Sequence, residues 1–361
     1  MKVVDLTAPR QALRVRIDPS PAYDFLACLY LVETFDPGFG YEVPAAWVER
    51  ARGALGRDLR ADLALLFPPR GRTLGVVGIL EAAAGAPVEV FIDRVTAAPA
   101  GVLLELMLAQ TLADPRDLSR LRAAVGGSRA AVEALLAAVH PDVDRRPVRR
   151  LLLLPPAEVK ARLVRLLREG YARVYAPEAP TVVPLLMRDA AALARRAAAL
   201  APTELVERAT GGFVIGPDAA LEGVVLAPTY FFRPYNLVTA YRGVRVFIYP
   251  IETRAAPDLP PPDLVRVYKA LGDETRLRIL RLLAQREMYL QELARALNVS
   301  HVTALHHMAL LRAAHLVQVV DRGALKYYRL RPDRLRDAAE QGLAFVTASR
   351  TPSVTELYGA R

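Results

Sequence analysis

Along most of the chain the apolar positions recur every three or four residues, the period of helices with one buried face. That spacing predicts Ala- and Leu-rich helices over 22–33, 45–55, 101–112, 118–125, 129–139, 156–169 and 181–200. The rhythm changes at two places in the first 255 residues. Residues 12–17 alternate apolar and polar side chains, as a half-buried strand does, and Pro19-Ser20-Pro21 stops that strand before the first helix. From Gly212 onward, short β-branched and aromatic runs predict strands over 213–215, 221–226, 230–232, 237–241 and 244–249. The last two flank Arg242-Gly243, a tight hairpin turn, and the N-terminal strand is expected to pair with this small sheet. A basic stretch over 140–150 reads either as a weak boundary or as a solvated loop between helices.

Prolines at 257, 260, 261 and 262 deny the backbone its donors, so 256–262 reads as a short stiff linker after a region spanning 1–255. Beyond it the signals are dense. Leu264, Val267 and Leu271 share one helical stripe, which Gly272 ends. Asp273 is placed to cap a helix over 274–285 with an apolar face of Leu277, Leu280 and Leu283. A third helix, over 290–297, buries Leu290, Leu293, Ala294 and Leu297, and Asn298 tolerates the left-handed conformation that ends it. Ser300 caps a fourth helix, and the short turn between the third and fourth has the spacing of a helix-turn-helix. Strands over 316–320 and 325–330, joined by Asp321-Arg322-Gly323-Ala324, form a wing. The expected fold class is therefore α+β: a mostly helical N-terminal region with a small sheet, then a C-terminal winged helix-turn-helix over 263–346 and a tail over 347–361.

With 53% apolar and 24% charged residues, the composition excludes wholesale disorder and a collagen-like chain. Cys28 stands alone, which excludes an intramolecular disulfide and the cysteine-based zinc frameworks. The N-terminus runs straight into charged sequence, and the most hydrophobic window, 95–113, is interrupted by Pro99, Gly101 and Glu105. A cytoplasmic protein with no membrane partner is the expectation. The net charge is +10, yet 44 of the 48 basic residues are Arg, so the count of arginines alone says little. Their placement says more: residues 262–336 hold 14 basic and 7 acidic side chains, a net of +7, which suits a polyanionic partner.

The segment 263–332 resembles the ArsR family of bacterial winged-helix transcriptional repressors. The resemblance is carried by Ala270-Leu271-Gly272-Asp273-Glu274-Thr275-Arg276-Leu277-Arg278-Ile279-Leu280, by Leu290-Gln291-Glu292-Leu293-Ala294, by Leu305-His306-His307-Met308-Ala309-Leu310-Leu311-Arg312, and by Tyr327-Tyr328-Arg329-Leu330. It covers about 75 residues, a fifth of the chain. It implies a dimeric module whose fourth helix enters the major groove of double-stranded DNA while the wing touches phosphates, with dimer contacts from the first and last helices. At 100° per residue, Ala304, Met308 and Leu311 form the core face of that fourth helix, leaving Val302, His306 and Ala309 opposite, with Thr303 and Leu305 at the sides. The expected DNA-binding residues are Ser300, His301, Val302, Thr303, Leu305, His306 and His307, with Arg322 and Lys326 on the wing. His301, Thr303 and His306 suit base edges, and Val302 or Leu305 suits thymine methyl groups. Where metal-sensing members carry paired cysteines, this chain reads Met288-Tyr289-Leu290-Gln291-Glu292, and its last helix offers Asp333, Asp337 and Glu340 without a histidine. No metal and no cofactor is expected. The sequence also departs at His315, a turn position where the family usually has Gly.

The run Tyr230-Phe231-Phe232-Arg233-Pro234-Tyr235 either lines a ligand pocket, with Tyr230, Phe232 and Tyr235 around an anion-reading Arg233, or forms sheet core with Arg233 in a salt bridge. No Walker loop, nucleophile elbow, zincin helix or dinucleotide fingerprint occurs in 1–255. The chain is therefore read as a regulator and not an enzyme: a homodimeric repressor of ArsR type whose N-terminal region senses a small-molecule effector or supplies dimer surface. The alternatives are a winged helix used as a protein-interaction module, and an unfamiliar enzyme domain controlled by a DNA-binding tail.

Overall fold

The computed structural model describes residues 13–69, 73–81, 84–216, 221–252, 259–322 and 325–347. Their contacts divide the chain into two units. One holds the residues up to Thr210 together with Pro217–Glu252, and the other holds Gly211–Gly216 with everything from Thr253. Of the stretch expected as a linker, 256–262, residues 256–258 lie outside the described residues, as do 348–361 of the expected tail.

Among the described residues the larger unit runs from β1 (Arg14–Ile17) through ten α-helices: α1 (Pro21–Thr34), α2 (Ala45–Leu66), α3 (Val88–Ala97), α4 (Ala100–Leu108), α5 (Leu118–Ala124), α6 (Arg129–Ala137), α7 (Arg145–Leu153), α8 (Pro156–Gly170), α9 (Ala179–Ala197) and α10 (Pro202–Thr210). A short strand, β2 (Phe213–Ile215), then leaves for the other unit before the chain returns as β3 (Gly223–Thr229), β4 (Leu237–Tyr241) and β5 (Val244–Pro250). The sheet order is β1-β3-β5-β4, with β1, β3 and β5 parallel and β4 antiparallel to β5. The N-terminal strand thus joins the sheet at the register Val15 to Val224. Every residue of β3 is buried, and α1 and α9 pack against it. Arg242 and Gly243 both take positive φ, +40° and +77°, which closes the β4–β5 hairpin in the twist a two-residue turn prefers.

Asp24, fully buried in α1, organises the strand ends. Its carboxylate accepts from the Thr229 hydroxyl at 2.6 Å, the Tyr175 hydroxyl at 2.9 Å, and the backbone N–H groups of Tyr230 and Phe231 at 2.8 and 3.2 Å. This corrects the strand expected over 230–232. Two of its main-chain donors go to a side chain instead of a ladder, and the segment is a turn. The basic stretch over 140–150 is a loop at 140–144 between helices, as expected, and then the start of α7, capped by Asp144 through Arg146 N–H at 3.0 Å, with Val148, Leu151 and Leu152 buried. Pro147 sits in its first turn, where a missing N–H does no harm. The helix expected over 45–55 runs on to Leu66 across a break at Gly56, whose φ of +70° no other residue adopts cheaply.

In the smaller unit, α11 (Pro262–Leu271), α12 (Glu274–Gln285), α13 (Leu290–Leu297), α14 (His301–Ala313) and α15 (Pro332–Thr347) surround a sheet. Its strands are β6 (Met288–Tyr289), β7 (Val317–Arg322) and β8 (Leu325–Leu330), joined by β2 in the order β2-β7-β8-β6. β7 and β8 form an antiparallel hairpin, and β2 lies parallel to β7 along its outer edge, Phe213 opposite Val319. The segment 211–216 therefore belongs with the winged helix and not with the region 1–255 in which the sequence places it. Strand periodicity identifies β2 but cannot name a partner a hundred residues away. On α12 the buried residues are Ile279, Leu280 and Leu283, whereas Leu277, expected on the core face, is 50% exposed.

Candidate DNA-binding interface

The helix-turn-helix is fixed by its caps. The Asp273 carboxylate accepts from Arg276 N–H at 2.8 Å and starts α12. The guanidinium of Arg276 turns back onto the end of α11, donating to the carbonyls of Ala270 and Lys269 at 2.7 and 2.8 Å. That basic side chain thus satisfies orphan carbonyls, a C-terminal role that also suits the helix dipole. At the start of α13, Glu292 reaches back to accept from Tyr289 N–H at 3.0 Å. At its end, Asn298 takes φ +54° and Val299 N–H donates to Ala294 carbonyl at 3.0 Å, so the chain reverses within two residues. Ser300 then accepts from Thr303 N–H at 3.0 Å and opens α14, its hydroxyl also 2.8 Å from that of Thr303.

With both ends pinned, the rotation of α14 is set by its core face. Ala304, Met308 and Leu311 are fully buried, as their spacing requires. The exposed positions of the first two turns are His301, Val302, Thr303 and Leu305, with Val302 56% and Leu305 38% exposed, and His306 half-buried beside them. Ser300, His301, Val302, Thr303, Leu305 and His306 are thus brought to one end of one helix. His307 is not. Its side chain is largely covered, its Nδ1 lies 3.8 Å from the Asp273 carboxylate, and burial holds the imidazole below its ordinary value. Lys326 is exposed on β8 with its Nζ 6.0 Å from the centre of the Phe213 ring. The side chain of Arg322 and the wing tip, 323–324, lie outside the described residues.

Gln291, Ala294, Arg295, Asn298, Val299 and His301 line a shallow depression at the turn. The sequence analysis did not single out Gln291 and Arg295. Their spacing of four puts both on the exposed side of α13, which was the available signal. Arg278, Arg281 and Arg295 are exposed, and none is ion-paired among the described residues. The arrangement is a cationic surface with a helix end offered to a polyanion, its apolar positions limited to Val302 and Leu305.

In the aromatic run of the larger unit, Arg233 makes an ion pair from a turn and not from a strand. Arg233 is buried, donates through Nε to the Glu42 carboxylate at 2.8 Å and stacks 3.8 Å above the Tyr230 ring. Phe232 and Tyr235 pack edge-on against Tyr41, at 5.5 and 5.2 Å between ring centres. Phe232 and Arg233 are buried and Tyr230 and Tyr235 partly buried around this salt bridge, in which Glu42 takes the Nε side of the guanidinium. Among the described residues no group of three or more His, Cys, Asp or Glu side chains is arranged to hold a metal, and no helix is long and apolar enough to cross a membrane.

Residues 273–319 match the family model described as bacterial regulatory protein, arsR family. A cadmium resistance transcriptional regulatory protein CadC homolog of Staphylococcus aureus is 33% identical over 92 residues, 24% of this chain and 76% of that protein. The HTH-type transcriptional regulator KmtR of Mycobacterium tuberculosis is 36% identical over 86 residues, 23% of this chain and 66% of that protein. The transcriptional repressor SdpR of Bacillus subtilis is 32% identical over 80 residues, 22% of this chain and 89% of that protein. Through its smaller unit, the chain belongs to the ArsR family of bacterial regulatory proteins.

Proposed function

We propose that the protein is a homodimeric repressor that binds operator DNA through α14 and the wing, and that the larger unit receives the signal controlling release. The observation that carries this reading is the α14 surface: a Ser300-capped helix end presenting His301, Val302, Thr303, Leu305 and His306 opposite a fully buried Ala304-Met308-Leu311 face. In the groove, His301, Thr303 and His306 reach base edges, Val302 or Leu305 meets a thymine methyl group, and Lys326 and Arg322 neutralise phosphates. Arg295, beside His301, adds a phosphate contact that the sequence analysis omitted. His307 stays with Asp273 and supports the helix from behind.

Dimerisation is supported by α11 and α15, which pack together and leave apolar side chains uncovered: Leu343 is 65% and Val346 76% exposed. A second copy covering them places two α14 helices to read two half-sites. The test is binding of the full chain to the DNA upstream of its own gene against a scrambled duplex, over a range of salt. Four to six phosphate contacts give a log–log slope of about −4 to −5, and Thr303→Ala with His306→Ala should lower the preference for the upstream duplex. Absence of binding to either duplex at low salt overturns the reading and favours a protein-interaction surface at Val302 and Leu305.

A further inference from the structure

The wing of this protein is held by a strand, β2, drawn from outside the contiguous winged-helix segment of the sequence. β7 would be an open edge, with a row of unpaired main-chain groups. Here β2 fills it: Val319 N–H donates to Gly212 carbonyl at 2.9 Å, and Gly216 N–H to Asp321 carbonyl at 3.1 Å. The chain reaches that edge through two glycines with φ of +70° and +123°, a path only glycine follows without strain. The anchor at its start is specific. Gly211 carbonyl receives Arg331 Nη1 at 3.2 Å and lies 3.1 Å from His315 Nδ1. The imidazole of His315 sits so close that a Cβ on Gly211 would fall 1.9 Å from Cε1. His315 itself takes φ +56°, so an imidazole stands where the backbone favours glycine, and Gly211 is the residue whose missing side chain admits it. On the other side of the strand, Phe213 is buried beneath Lys326.

We infer that Gly211–Gly216 is a positioning strand for DNA binding, locked by the Gly211–His315 fit, and that it sets the wing and Lys326 in place for phosphate contact. The inference rests on the DNA-binding reading above and adds to it. Both ends of the segment run directly into the larger unit, at Thr210 and Pro217, so a change of state there that withdraws the strand releases the wing. Regulation then reaches DNA affinity through phosphate contacts and leaves the base-reading face of α14 intact.

The test compares full-length wild type, Gly211→Ala, Gly211→Ala with His315→Gly, and Val214→Pro, which takes a donor from β2 without involving the imidazole. Amide exchange across 317–321 is followed without DNA, and affinity and salt slope are measured for the upstream and scrambled duplexes. In Gly211→Ala and Val214→Pro we expect faster exchange at 317–321 and about tenfold weaker binding to both duplexes. The salt slope should be shallower by about 1 to 2, with the preference between duplexes unchanged. Adding His315→Gly to Gly211→Ala should recover part of the slow exchange and of the affinity, since the clashing ring is gone and glycine suits φ +56°, while the strain of alanine at φ +70° remains. Faster exchange with unchanged affinity overturns the proposal, as does unchanged exchange in both single variants. A preference lost together with affinity overturns it too, by showing collapse of the whole module. A wild-type chain that binds neither duplex overturns the DNA-binding reading and the strand's effect on it. The exchange pattern, read without DNA, keeps that failure distinct from failure of the strand lock.

Discussion

At the scale of single residues, the charged and polar groups that matter are those whose partners are fixed. Asp24 serves four donors from two parts of the chain, Tyr175 and Thr229–Phe231. Asp24→Ala leaves the Tyr175 and Thr229 hydroxyls and two N–H groups facing an apolar gap, each costing about 1–3 kcal/mol when unsatisfied. We expect a total loss of at least about 3 kcal/mol, read as a fall of several degrees in the unfolding midpoint of the larger unit; a shift under about 2 °C would show that water replaces the carboxylate. His315 makes a prediction about pH. Burial, with Arg266, Arg334 and Arg331 against the opposing Asp263, lowers its folded pKa to about 4. An unfolded imidazole titrates near about 6.5, so between these values the unfolded chain takes up the proton first. The contribution of His315 is complete above about pH 6.5 and is lost as pH falls toward about 4. The stability of the smaller unit should decline over that window in wild type and decline less in His315→Asn, measured by thermal unfolding at fixed ionic strength. Equal slopes would place the effect elsewhere.

At the scale of elements, the winged helix was legible because its signals are local. Asp273, Asn298 and Ser300 each announce a helix end within four residues, and the cap geometry forms as those residues require. Ala304, Met308 and Leu311 announced the core face of α14 by spacing alone. The larger unit was less legible where the decisive contact is distant. The run 230–232 has strand composition, but Asp24, two hundred residues earlier, claims its N–H groups. Arg233 was readable as an anion site or an ion pair until Glu42 supplied the carboxylate. His307 shares a helix with the exposed residues and was grouped with them, yet the position of Asp273 draws it inward. The same dependence on caps gives a test at this scale. Ser300→Ala removes the acceptor for Thr303 N–H at the tip of α14 and should cost about 1 kcal/mol. Because the frayed turn carries His301, Val302 and Thr303, discrimination between upstream and scrambled DNA should fall more than affinity for the scrambled duplex. Ser300→Asp keeps the cap but brings a negative charge to the DNA, so it should retain stability while losing affinity for both.

At the scale of the whole molecule, two units are joined by three passages of the chain, at 210–211, 216–217 and 252–253. Simple tandem domains would need one. The extra pair delivers β2 to the wing, so the smaller unit draws one of its strands from within the larger unit's stretch of sequence. A dimer adds a further requirement, since two half-sites are read together only when two wings and two α14 helices are held at a fixed spacing. Leu343 and Val346 on α15 are exposed in the single chain, so Leu343→Glu with Val346→Glu should leave its fold intact by circular dichroism, while the thermal midpoint loses only the part that dimerisation supplies. In an equilibrium sedimentation series, wild type should run at twice the chain mass and the double variant should shift to one. Its affinity for the upstream duplex should fall by at least about tenfold at nanomolar protein, recovering as protein concentration rises, because dimerisation and binding are then linked by mass action. A wild-type chain that sediments as a monomer throughout while binding the upstream duplex tightly would remove the two-fold arrangement. A single α14 helix and its wing would then have to account for all of the affinity.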